Sequence, residues 1–122
     1  MSTPTTYVSL DLETTGLNAD RDAIIEVGAV KFADGRILGE FTSLVQPGIT
    51  LSHRIEQLTG IRTIDLVEAP PIGPVLAELA AFVGDAPVVG HNVGFDLGFL
   101  KRAGWTPPGD AIDTHELATI LV

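Results

Sequence analysis

The stretch Tyr7–Leu17, YVSLDLETTGL, constrains this chain more than any other. Its apolar residues Tyr7, Val8, Leu10 and Leu12 read as a strand over 7–13, and Thr14-Thr15-Gly16 ends it as a turn. Side chains of a strand alternate between faces, so Asp11 and Glu13 project from one side. Neighbouring carboxylates repel, and both stay ionised only with something positive between them. A divalent cation is the simplest such partner. The plain alternative is a strand end whose two acids are merely solvated, and the rest of the sequence has to decide.

The chain has 122 residues, enough for one domain with a core but not for two. Hydrophobic residues make up 45%, which excludes a disordered tail. No apolar run is long enough to span a bilayer, and the opening MSTPTT lacks the basic-then-apolar pattern of a signal peptide. Without cysteine there is no disulfide framework, zinc knuckle or thiol chemistry. These features fit a cytoplasmic location with no membrane contact. Sixteen acids against seven Lys and Arg leave a net charge of −9. That balance argues against a domain whose main task is electrostatic capture of nucleic acid. It is compatible with an enzyme that approaches a phosphodiester through bound cations.

Taken in order, residues 1–6 read as a short disordered lead and 18–22 as a polar loop. A second strand over 23–32 and a third over 37–45 flank Asp34-Gly35, a strong hairpin signal. Ser52 is an N-cap for a short helix to Thr59, with Ile55 and Leu58 inward and Gly60 as its stop. Residues 60–69 show no period. Pro70-Pro71 introduces a helix over 72–83 with Leu76, Leu79, Ala80 and Val83 as its stripe, closed by Gly84. A buried-type strand over 87–90 follows, then a helix capped by Asn92 and running to Ala103. A last short strand over 111–113 leads to Thr114 as cap of a final helix. The expected fold is α/β: a mixed sheet, with antiparallel hairpin strands first and parallel strands after, flanked by helices. The apolar ending Leu117, Ile120, Leu121, Val122 suggests a fragment of a longer protein.

Asp96 is the third informative acid. Asp96, Phe99, Leu100 and Ala103 share one helical face, so an acid stands on the stripe that meets the sheet. Its place in the first turn gains roughly 0.3–1 kcal/mol from the helix dipole, which alone does not justify burial. The plain alternative, Asp96 as a helix-start acid turned to solvent, is the lesser of the two. Joined to Asp11 and Glu13, it makes a three-carboxylate cluster at one sheet edge. Three hard oxygen ligands suit Mg2+ or Mn2+, not zinc. Two such ions about 3.5–4 Å apart hold the attacking and leaving oxygens of a phosphoryl displacement. They would also meet the substrate's phosphates, so little lysine or arginine is needed there.

DLETTG at 11–16, RDAIIEVGAV at 21–30, QLTGI at 57–61 and GHNVGFDLGFL at 90–100 together resemble the DnaQ-like 3′–5′ exonucleases. This DEDD group includes the epsilon proofreading subunit of DNA polymerase III and exonuclease domains fused to polymerases or helicases. The resemblance implies a ribonuclease-H-like fold, with residues 1–122 the N-terminal portion of one exonuclease domain. It implies two-metal hydrolysis, with Mg2+ or Mn2+, that releases nucleoside monophosphates from a single-stranded or frayed 3′ end. DNA is the expected substrate and RNA stays open, as does a polymerase or helicase partner or fusion. By the same resemblance, Asp11, Glu13 and Asp96 bind metal, and Thr14, Thr15 and Gly16 hold the terminal nucleotide. Leu17 would pack against its base, and Asn92 would be a positional hydrogen bonder.

One family motif is missing. A histidine followed five residues later by an aspartate should come several dozen residues beyond Asp96, and the chain ends first. His91 and Asp96 have that spacing but belong to the second motif, so His91 reads as a structural hydrogen bonder at a strand end. His53 and His115 match no catalytic position. Without a general base worth about 10²–10⁴-fold, the 122-residue chain is expected to be weakly active or inactive. The competing class is a non-catalytic module of this fold that binds nucleic acid or a partner protein. A phosphatase of the haloacid dehalogenase type fits poorly, because Glu13 stands where a second aspartate belongs and no suitable lysine follows.

Overall fold

Burial alternates along the first strand: Val8, Leu10 and Leu12 are buried while Asp11 between them is exposed. That alternation builds one side of the core. The computed structural model describes residues 4–114. In order these are β1 (Tyr7–Thr14), β2 (Ile24–Ala33), β3 (Arg36–Leu44), α1 (His53–Thr59), a 3-10 turn (Thr63–Leu66), α2 (Ile72–Val83), β4 (Val88–Gly90), α3 (Val93–Ala103) and β5 (Ala111–Asp113). The sheet order is β3-β2-β1-β4-β5. β1 pairs antiparallel with β2, and β2 with β3, whereas β1–β4 and β4–β5 are parallel. This is the mixed α/β sheet expected from the sequence.

The β2–β3 turn works as the Asp-Gly pair demands. Asp34 and Gly35 have φ of 51° and 74°, the left-handed pair that matches strand twist. At the other end of β2 the register shifts: Glu13 faces Glu26 but Thr14 faces Ile24. Ile25 is the extra residue, and it drops into a second apolar cluster with Leu51, Ile61 and Leu66. The main cluster joins Val8, Leu10, Leu12, Val27 and Ala29 of the sheet to Val75, Leu76, Leu79 and Val83 of α2 and Phe99 and Leu100 of α3. Each such side chain contributes roughly 1.5–3 kcal/mol when fully buried. Phe82 of α2 extends this contact, with its ring 6.0 Å from that of Phe41 and the Lys31 ammonium 4.6 Å from its centroid.

Several expectations need correction. Leu58 does not point inward but is 71% exposed, whereas Ile55 does turn inward, half-buried against the second cluster, and α1 has no fully buried residue. This helix rests on its caps: Ser52 Oγ accepts the Ile55 amide at 3.2 Å, and Gly60 ends it at φ 76°. The stretch 60–69 is not featureless, because its 3-10 turn buries Leu66. On α2 the buried stripe includes Val75, while Ala80 is half-buried. Asn92 does not cap α3 through its side chain. It takes φ 57°, and the Val93 amide donates instead to Asp113 Oδ2 at 3.0 Å. The expected final helix and His115 lie outside the described residues.

Candidate active site

β1 and α3 bring the three acids together from different layers. Asp11 and Glu13 share one side of β1, and α3 starts just past β4, the parallel neighbour of β1. Val93, Asp96, Phe99 and Leu100 form the buried side of α3, so the apolar stripe carries its acid inward. Asp96 is 5% exposed. Burial, then Asp11, then Glu13 push its pKa up to about 7. Glu13 is also raised, by burial first and then by Asp11 and Glu26. Near neutral pH the cluster therefore holds on to a proton, as like charges crowded together must.

Among the described residues no three His, Asp or Glu side chains converge tightly enough to hold a metal ion as they stand. Asp11 nonetheless lies near enough to raise both the Glu13 and the Asp96 carboxyls, after burial as the larger cause. Uncompensated repulsion keeps such groups apart, and a shared cation draws them in. No side-chain oxygen or nitrogen among the described residues is both fully buried and unpartnered, so the Asp96 oxygens keep access to the space before them. An all-carboxylate donor set fits a hard divalent cation.

Two hollows flank the acid pair. Glu13 lines a cleft of about 590 Å3, with the Thr14–Leu17 turn on one wall, Arg54, Ile55 and Leu58 of α1 on the other, and Phe95 beside them. Asp11 lines a groove of about 590 Å3 that also holds Gly28, Glu40, His91 and Thr114. His91 is bonded through Nδ1 to the Thr114 hydroxyl at 3.3 Å, in keeping with a structural role.

The turn itself is tightly knit. Thr14 donates its hydroxyl to the Gly16 carbonyl at 2.7 Å, and Thr15 donates its own to Asp22 Oδ1 at 3.4 Å while accepting the Ala23 amide at 2.9 Å. The amides of Gly16 and Leu17 make no hydrogen bond among the described residues and remain available as donors. Leu17 is 86% exposed. Sequence reasoning found the turn but missed Asp22 beneath it, Leu58 opposite, and Asp113 at the start of α3. The only sequence sign of Asp113 was its place at the end of a strand, and of Asp22 its place at the end of a polar loop.

Residues 8–108 match the model of the RNase T exonuclease family. The chain belongs to this exonuclease family. Among curated relatives, PolC-type DNA polymerase III of Staphylococcus saprophyticus is 48% identical over 122 residues, covering 95% of the chain but 8% of that protein. The Clostridium perfringens PolC-type enzyme is 40% identical over 119 residues, with coverage of 94% and 8%. The chain thus spans less than a tenth of the length of these polymerases. Exonuclease X, solved with 5′ overhanging duplex DNA, superposes with a TM-score of 0.74 at 29% identity, over 94% of the chain and 63% of that structure. Product-bound exonuclease I, at 16% identity and TM-score 0.77, covers 95% of the chain and 31% of its own. That likeness concerns the fold alone. The mixed five-strand sheet flanked by helices matches the ribonuclease-H-like fold of these exonucleases.

Proposed function

We propose that this domain is a metal-dependent 3′–5′ exonuclease that removes nucleoside monophosphates from a single-stranded or frayed 3′ end, DNA foremost. One observation carries the reading: a buried acid, Asp96, has its carboxyl raised by burial and by Asp11 and Glu13, and Glu13 lines a cleft. A buried carboxylate such as Asp96 is costly, and it is retained beside two further acids where a cation uses them. Asp11, Glu13 and Asp96 would hold two Mg2+ or Mn2+ ions. When bound, these supply charge to the attacking and leaving oxygens of a phosphodiester.

The chain's own residues do the rest. The free amides of Gly16 and Leu17 offer donors to sugar and phosphate oxygens, and Thr14 keeps acceptor capacity beside them. Leu17 and Leu58, both exposed, give apolar surface on the two walls for a base. The left-handed Asn92 turns the chain from β4 into α3. The net charge of −9 leaves phosphate neutralisation to the metal ions. The PolC-type relatives support attachment to a polymerase. No described helix is long and apolar enough to cross a membrane.

The test is release of mononucleotides from 3′-labelled single-stranded DNA with Mn2+ by the natural protein that carries this domain with the third motif in place, and its loss in Asp11→Ala. RNA of the same sequence in a parallel reaction decides the sugar preference. Tight strand binding without release, unaffected by Asp11→Ala, would mean a non-catalytic binding module instead.

A further inference from the structure

We propose that Asp22 is a positioning residue that holds the Thr14–Leu17 turn in its receiving shape and so sets affinity for the terminal nucleotide. The proposal rests on the exonuclease reading above.

Both oxygens of Asp22 are spent on the turn. Oδ2 accepts the Asn18 amide at 2.9 Å, and Oδ1 accepts the Thr15 hydroxyl at 3.4 Å. The Asp22 amide donates back to the Asn18 carbonyl at 2.7 Å. Thr15 then clamps the loop neck, accepting the Ala23 amide through its hydroxyl and donating its own amide to the Ala23 carbonyl, each at 2.9 Å. Gly16 lies so close to the same carboxylate that a Cβ there would stand 2.6 Å from Asp22 Cγ. A side chain at 16 is therefore excluded by Asp22 itself.

Three features make this more than loop packing. Among the described residues Asp22 has no ion pair, so its carboxylate serves neutral donors of the turn, above all the Asn18 amide at 2.9 Å, and charge-assisted bonds are about twice as strong as neutral ones. Its contacts, Thr15, Gly16 and Asn18, bracket Leu17 on both sides. Leu17 is 86% exposed and has little packing to fix it, so its position is inherited from the backbone that Asp22 holds.

The native protein with Asp22→Asn tests this, because the amide keeps the size but replaces one acceptor with a donor. The KM for a 3′-ended single strand should rise about tenfold, and kcat should stay within about threefold. Inhibition by free nucleoside monophosphate should weaken by the same factor as KM, while Mn2+ affinity from paramagnetic titration stays put. Asp22→Ser keeps one short acceptor, should show a smaller shift, and carries the test if Asp22→Asn melts below assay temperature. Gly16→Ala should cost less in the Asp22→Ser background than in the native one, since the clash is relieved. Unchanged KM in a folded variant overturns the proposal, as does a fall in kcat and Mn2+ affinity with KM constant. If the natural protein that carries this domain, with the third motif in place, releases no nucleotide, the exonuclease reading fails and takes this proposal with it.

Discussion

The Asp113 carboxylate accepts the Val93 amide at 3.0 Å, across a sequence separation of 20. A residue at the end of β5 thus supplies the cap that Asn92 does not, at the helix whose first turn carries Asp96. The orientation of the buried acid is therefore secured from the far strand of the sheet.

Asp113→Ala should destabilise the domain by about 1–3 kcal/mol in urea unfolding, since a cap and a partly buried acceptor are lost together. Asp113→Asn retains one oxygen and should cost less. Equal midpoints for Asp113→Ala and the native protein would show that the cap contributes nothing.

The raised Asp96 pKa gives the metal-free protein an inverted pH response. A carboxyl with ordinary pKa 3.8 and a folded value of about 7 binds more protons folded than unfolded across that window. Its contribution to stability is thus full below about pH 4 and is lost as pH climbs to about 7. Melts in chelator should show the native protein losing stability over this window relative to Asp96→Asn, by up to a few kcal/mol. Parallel curves for the two proteins would contradict the assignment.

Divalent ions should reverse that penalty. A cation that binds the folded state alone stabilises by mass action, about 2.7 kcal/mol at a hundredfold excess over Kd. Because Asp96 must release its proton to act as a ligand, the rise in Tm with Mn2+ should be larger at pH 8 than at pH 6. Asp11→Ala should abolish the rise. Equal rises in that variant would place the ion elsewhere.

Leu58 and Leu79 separate function from stability. Leu79 is 0% exposed inside the main cluster, and Leu79→Ala should cost about 2–5 kcal/mol. Leu58 is 71% exposed on the cleft wall, so Leu58→Ser should shift stability by less than about 0.5 kcal/mol yet weaken strand binding. A large loss of stability in Leu58→Ser would refute its placement.

The strands, α2 and the hairpin turn were legible because period-2 and period-3.6 patterns and Asp34-Gly35 report local geometry. The inward placement of Asp96 was legible for the same reason. What escaped depends on distant partners. Asp113 caps a helix it does not belong to, Asp22 acts on a turn from across a loop, and Leu58 faces outward although its spacing from Ile55 mimics a core stripe. Hydrophobic spacing states that a side is apolar, but a short helix held by its caps need not bury that side.

The sheet's topology also fixes an order of assembly. β1, β2 and β3 are joined by short connections, so their ladders close small loops. β1 meets β4 only through Val8 with Val88 and Ser9 with Val89, after most of the chain has been made. Low contact order places the meander early in folding and the β4–α3 unit late. Asp11 and Glu13 would then spend their first moments as solvated acids on a hairpin. φ-values should be high for substitutions in β2 and near zero for those in β4. Under that order, Asp11, Glu13 and Asp96 come together only once α3 has docked.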